Sequence, residues 1–159
     1  MDSYYNIHFS VIEFWRAHGV WPEQLTIVSH EFKRNRLVDG HCAAIGFPLD
    51  RVNFVGINPP GVEGMGLGDA SGGEAEGQVS GEKADAMRGV QLALGQWAGD
   101  PHGVGEELAS KRRMRNCWDV DQTIFFNDQE RERSGVVTVM LEDGSEALTE
   151  QGIVHLKMR

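Results

Sequence analysis

Thr26-Ile-Val-Ser-His-Glu-Phe-Lys-Arg-Asn-Arg36 opens on an apolar, partly β-branched run and closes on three cations, with a serine and a histidine where its character changes. Leu25 to Val28 shows no polar alternation, which predicts a strand covered on both faces, and such strands belong to parallel sheets. Phe32 to His41 predicts a helix, and Arg51-Val-Asn-Phe-Val-Gly-Ile57 a second strand closed by Asn58-Pro-Pro-Gly61. Upstream, Tyr4, Ile7, Val11, Phe14 and Trp15 recur at three- and four-residue spacings, the mark of a helix with one buried stripe. Asp2 or Ser3 can cap that helix, Gly19 ends it, and Trp21-Pro22 leads the chain away. Helix, strand, helix, strand in this order implies right-handed crossovers and a layered α/β fold with a short parallel sheet.

Downstream, 61–81 shifts to Gly, Glu, Asp, Ser and Ala, too poor in large apolar side chains to offset the entropy of ordering it, and reads as a flexible acidic loop. Gly64-Met-Gly-Leu-Gly68 resembles a dinucleotide fingerprint only in its spacing, because no strand leads directly into it. Helical spacing returns from Glu82 through Ala86, Val90, Leu94 and Trp97, stops at Asp100-Pro101, and resumes through Val104 and Leu108 to Arg115. Val136 to Leu141, a turn at Glu142-Asp-Gly-Ser145 and a returning run at Gly152 to Leu156 predict a C-terminal β-hairpin. The expected organisation is an α/β unit over 1–118 and an extension carrying the hairpin over 119–159.

A chain of 159 residues suits one domain. Its net charge of -9 argues against general affinity for nucleic acid or an anionic membrane, since polyanion binding needs excess Lys and Arg. Two basic runs, Lys33-Arg34-Asn35-Arg36 and Lys111-Arg-Arg-Met-Arg115, read first as solvated helix faces. Cys42 and Cys117 stand in no zinc or disulfide pattern, no run is long and apolar enough to span a membrane, and the N-terminus lacks a leader pattern. The expectation is a soluble cytoplasmic protein.

The strand end offers the strongest chemistry. Where a parallel strand stops and a helix starts, backbone N–H groups and the helix dipole point into a ligand crevice. Ser29 and His30 stand at that edge, and Lys33, Arg34 and Arg36 follow within two turns, positioned to neutralise a phosphate or carboxylate. The plain alternative makes Ser29 a cap, Glu31 a first-turn acid and the cations a solvated face. His30 and His41 form no compact metal motif, and His102 and His155 stand alone. Ser29 has His30 or His41 as a conceivable base but no Gly-x-Ser-x-Gly elbow. Cys42 reads as a small core residue.

Asp2-Ser-Tyr-Tyr-Asn6 opening a helix, followed by Val28-Ser-His-Glu-Phe-Lys-Arg34, His41, Val55-Gly-Ile-Asn-Pro-Pro60, Asp100-Pro-His-Gly-Val104 and Lys111-Arg-Arg113, resembles the SanA/YdcF-like family, a domain of unknown function. The soluble eukaryotic, fungal-type branch is most similar, and the resemblance covers about residues 2 to 118. It implies a Rossmann-like fold, present here as the C-terminal part of the domain, and a small-molecule ligand of nucleotide-like or S-adenosylmethionine-like type. Ser3 and Asn6 match the first family motif, with Tyr5 where a glutamate is usual. Ser29 and Arg36 match the second, whereas His30 replaces a serine and Lys33 the histidine, so no role of that histidine carries over. The implied binding set is therefore Asn6, Ser29, His30, Lys33 and Arg36. A partial domain exposes a sheet edge, which a homo-oligomer would cover. The alternative expectation is a truncated or interaction domain without ligand chemistry.

Overall fold

A computed structural model describes residues 2–57, 81–142 and 144–149, with the side chains of 81–87 and 90 excepted. Helix α1 spans Ser3–His18. Asp2 caps it by accepting the Tyr5 N–H at 3.0 Å, and Gly19 ends it at φ 72°, a left-handed conformation that glycine adopts without strain. Its buried stripe is broader than the apolar spacing predicts. Tyr5, His8 and Ile12 join Tyr4, Ile7, Val11 and Trp15 in the interior, while Phe14 is exposed.

Strand β1, Leu25–Ser29, pairs in parallel with β2, Val52–Gly56, in a register running from Leu25 opposite Val52 to Ser29 opposite Gly56. The parallel pairing follows the sequence; the expected coverage of both faces does not. Leu25, Ile27, Val52 and Phe54 pack against the core, but Thr26 is exposed and Val28 is 63% exposed. A two-stranded sheet with one covered face needs only every second residue to be apolar, and the unbroken run conceals that alternation.

The crossover helix is present but irregular. Glu31–Lys33 forms a 3₁₀ turn, and Arg36–Cys42 winds as a π-helix before a second 3₁₀ turn at Leu49–Arg51. Leu37, Val38, His41 and Cys42 are all buried. Adjacent pairs four residues apart demand a broad inward face, which the wider i→i+5 turn supplies.

Helix α2, Gly81–Gly99, and α3, Glu106–Arg115, flank a loop organised by Asp100, whose carboxylate accepts the Val104 and Gly105 N–H groups at 3.0 and 2.8 Å. Helix α4, Asp128–Ser134, is capped by Asn127 and ended by Gly135. Strands β3, Thr138–Met140, and β4, Glu146–Leu148, form an antiparallel hairpin. Its return begins directly after the predicted turn instead of at Gly152. Leu141 N–H bonds Ser145 O at 2.8 Å, so the nearest residues pair first. The runs 58–61, 61–80 and 152–156 lie outside the described residues.

One buried cluster joins Tyr4, Tyr5, Trp15, Ile45, Phe47, Trp97 and Leu108 to Ile124, Phe125, Val136 and Leu148, so the hairpin shares its core with α1. Glu146, fully buried, fixes that union. Its carboxylate accepts the Ile124 and Phe125 N–H groups at 2.6 and 3.0 Å, Arg131 Nε at 2.9 Å and the Thr138 hydroxyl, while the Tyr5 hydroxyl donates to its carbonyl at 3.0 Å. Burial alone would raise its pKa, but the bonds from Thr138, Phe125, Arg131 and Ile124 hold the carboxyl below its usual range. No helix among the described residues is long and apolar enough to cross a membrane.

Glu146→Ala leaves these donors without an acceptor and is expected to cost about 3–5 kcal/mol in urea unfolding. Acid should destabilise the wild type in two stages. His8 is 2% exposed, and burial, then His102, lower its pKa from 6.5 to about 4. Below pH 6.5 the unfolded chain takes up that proton and the folded one does not, so stability falls as pH drops toward 4. Glu146 and, through its bond to Arg16, Glu130 have lowered pKa values; their contribution is complete above the ordinary 4.5 and is lost below it. Urea midpoints between pH 8 and 3 check both stages; a flat profile between pH 6.5 and 4.5 contradicts the first.

Candidate functional site

Ser29 closes β1, its carbonyl accepting the Ile57 N–H at 2.8 Å. The next ring, His30, places Nδ1 3.0 Å from Ile57 O and stacks on Phe32. A carbonyl only accepts, so that bond fixes the proton on Nδ1. Glu31 folds over the end of β2, where a Cβ on Gly56 would collide with its carboxylate. Lys33 Nζ lies 5.6 Å from the centre of the Phe32 ring. The edge expected to receive an anion therefore carries a carboxylate.

Arg36 serves a different place. With Asn6 it lines a cleft of about 440 Å³ bounded by Asp2 and Ser3 on α1, Gln96 and Trp97 on α2, and Lys111, Arg112 and Arg115 on α3. Two basic runs far apart in sequence thus meet. Of the five predicted residues, Asn6 and Arg36 come together here, whereas Ser29, His30 and Lys33 are not among those lining this cleft. The α3 contribution has a simple origin: positions 111, 112 and 115 share one helical face, while Arg113 turns to Glu106 and Met114 is 75% exposed.

The cations are unequally compensated. Lys111 Nζ donates to Gln96 Oε1 at 2.8 Å and lies 3.5 Å from Glu107. Arg112 corrects the expectation of a wholly solvated run, being 2% exposed, with Nη1 donating to Gly103 O at 2.9 Å and the guanidinium 4.7 Å from the Tyr5 ring centre. Its Nη2 is buried without a hydrogen-bond partner among the described residues, and so is Nε of Arg36. Burial, then the charge of Arg115, lowers the Arg36 pKa, against an opposing pull from Asp2. A buried donor left unpaired costs about 1–3 kcal/mol, and two such donors belong to residues lining one cleft.

Aromatic rings back this wall. Tyr4 stacks on Trp97 with centroids 5.5 Å apart and places its hydroxyl 2.9 Å from His102 Nδ1. Burial, followed by Tyr5 and Asp2, raises the Tyr4 pKa, so the phenol stays protonated. His41 lies edge-on to Trp97 at 4.5 Å, with Nε2 3.0 Å from Ser3 Oγ. Burial and Arg36 lower its pKa to about 3, leaving a neutral imidazole near pH 7. Cys42 behaves as a core residue, buried with its thiol pushed up to about 12. Among the described residues no three His, Cys, Asp or Glu side chains are placed to hold a metal ion. Sequence reasoning missed Lys111, Arg112, Arg115 and Trp97 as wall residues; the spacing of the three cations was the available signal.

A curated protein of Saccharomyces cerevisiae, named Uncharacterized protein YOR238W, is similar to this chain, with 23% identity over 141 residues. The match covers 86% of the chain and 43% of the yeast protein, so the chain spans less than half the length of that relative. No protein-family model matches the sequence. No solved structure matches it.

If Arg36 is held at the cleft for a ligand and not for folding, Arg36→Met removes an unpaired buried donor and a like-charge neighbour of Arg115 while keeping most of the stem. The ligand-free protein should then be unchanged or more stable by about 1 kcal/mol in urea unfolding. A loss above about 2 kcal/mol would assign Arg36 to the fold instead.

Proposed function

We propose that this chain binds a small anionic ligand bearing a phosphate or carboxylate in the cleft lined by Asn6, Arg36, Lys111, Arg112 and Arg115. The observation that carries the reading is the pair of buried guanidinium N–H donors, on Arg36 and Arg112, without partners among the described residues. Evolution tolerates such groups where a ligand completes them, and arginine suits oxyanions because its planar fork offers several donors. A cationic recess in a chain of net charge -9 also concentrates anions locally.

We further read the chain as part of a SanA/YdcF-like, Rossmann-like domain. The order of its motifs supports this, together with a parallel pair joined by a helical crossover. That resemblance suggested nucleotide-like or S-adenosylmethionine-like ligands at the strand end; the cleft's charge favours the nucleotide-like class, since a sulfonium is itself cationic. Free Cys42 and Cys117 agree with a cytoplasmic setting, and the acidic balance speaks against nucleic acid as partner. A second reading, as an interaction domain without ligand chemistry, draws support from Val28, Val55 and Ile57, which are 63, 42 and 58% exposed. Self-association over that face would appear as a mass rising with concentration and lost in Val28→Lys.

Thermal denaturation with pyrophosphate, ADP, ATP and S-adenosylmethionine tests the binding reading. Phosphate-bearing ligands should raise the midpoint, with stabilisation of about 2.7 kcal/mol at a hundred times Kd. The rise should shrink in high salt and vanish in the Arg36→Met/Arg115→Ala double variant. Equal rises in variant and wild type, or none with any anion, overturn the cleft as the site.

A further inference from the structure

Ser3 and His41 make a pairing that ligand binding alone does not require. Ser3 occupies the first turn of α1 and lines the cationic cleft, half-buried; His41 sits on the π-helix behind it, 1% exposed. Ser3 Oγ and His41 Nε2 are 3.0 Å apart, within the reach needed between a nucleophile and its base. The ring is held in place by Tyr4 at 5.7 Å and Trp97 at 4.5 Å, both edge-on. The i→i+5 winding places Arg36 five residues before His41, within electrostatic reach of it, so the base and one charge-binding group come from one irregular segment. Arg112, which lines the same cleft as Ser3, is buried, and its Nη2 has no hydrogen-bond partner among the described residues. A serine hydroxyl bonded to an imidazole, in a cleft that also holds guanidinium donors for an oxyanion, has the components of a phosphoryl-transfer nucleophile.

We propose that Ser3 is a nucleophile and His41 its general base, acting on the phosphorus of a phosphate monoester or anhydride bound in the cleft. This rests on the anion-binding reading above. In the tautomer with hydrogen on Nδ1, His41 Nε2 takes the Ser3 hydroxyl proton as Oγ bonds to phosphorus. The phosphorus–oxygen bond to the leaving group breaks, and the departing oxygen receives that proton from Nε2. Water then attacks the phosphoserine, giving its proton to Nε2 and freeing inorganic phosphate and the Ser3 hydroxyl. Arg36, Lys111, Arg112 and Arg115 face the charge that spreads over the phosphoryl oxygens. Burial first, and the charge of Arg36 second, weaken His41 as a base. A phosphate seated on Arg36 offsets that charge, so the imidazole becomes more basic when substrate arrives.

The full-length chain treated with an alkyl fluorophosphonate tests the pair without knowledge of the substrate, because an activated serine displaces fluoride and keeps the phosphonyl group. Peptide mapping should find the label on Ser3, its formation slowed by pyrophosphate, absent in Ser3→Ala and slowed about a hundredfold or more in His41→Gln. Hydrolysis of p-nitrophenyl phosphate should fall in parallel, while Ser3→Ala keeps the thermal shift with pyrophosphate, which shows that it folds and binds. A pyrophosphate shift with no label on Ser3 overturns the nucleophile and leaves the binding site standing. Equal labelling in His41→Gln overturns the base. Labelling of Ser3 in a chain that pyrophosphate does not stabilise overturns both the anion site and the phosphoryl-transfer assignment.

Discussion

The enclosed charge of Arg112 is the constraint around which this molecule is arranged. Its guanidinium lies over Tyr5 of α1, holds the carbonyl of Gly103 and forms part of the cleft wall, so one side chain ties the first helix, the loop after α2 and the recess together. Taking an arginine out of water is unfavourable unless hydrogen bonds and a π face replace its hydration. Here the replacement is incomplete, and the deficit lies beside the recess.

A second buried charge solves the same problem differently. Glu146 fills its acceptor capacity with donors from two loop amides, Arg131 and Thr138, and so welds the hairpin to the residues before α4. Satisfied networks of this kind rigidify, whereas a buried polar group left unpaired is costly. Glu146 and the Arg36–Arg112 pair thus stand at opposite ends of polar satisfaction within one small core.

Local chemistry made much of the fold legible in the sequence. Asp2 and Gly19 delimit α1 because capping depends on neighbours along the chain, and the parallel pairing of 25–29 with 52–56 follows from two apolar runs joined by a helical stretch. The π winding was not legible, since it answers to four side chains that must all reach the interior. The hairpin return was misplaced because apolar content pointed to Gly152–Leu156, while the strand that forms begins on Glu146, a charged residue whose partners lie elsewhere. Of the residues expected to bind, Asn6 and Arg36 line the cleft, whereas Ser29, His30 and Lys33, named with them, do not. Arg112 read as solvent-facing because nothing near it in sequence announces Tyr5 or Gly103.

Gly103 links these observations. At φ 64° it occupies a conformation suited to glycine, and a Cβ there would stand 2.9 Å from the Trp97 ring. Its carbonyl meanwhile anchors Arg112. The aromatic wall and the buried cation are thus gauged against a single backbone unit that has no side chain to adjust. Asp100 holds the Val104 and Gly105 amides, so the loop between α2 and α3 is braced from within. A change of conformation at Gly103 would therefore shift Trp97 and Arg112 together, and reshape the recess while every residue lining it kept its identity.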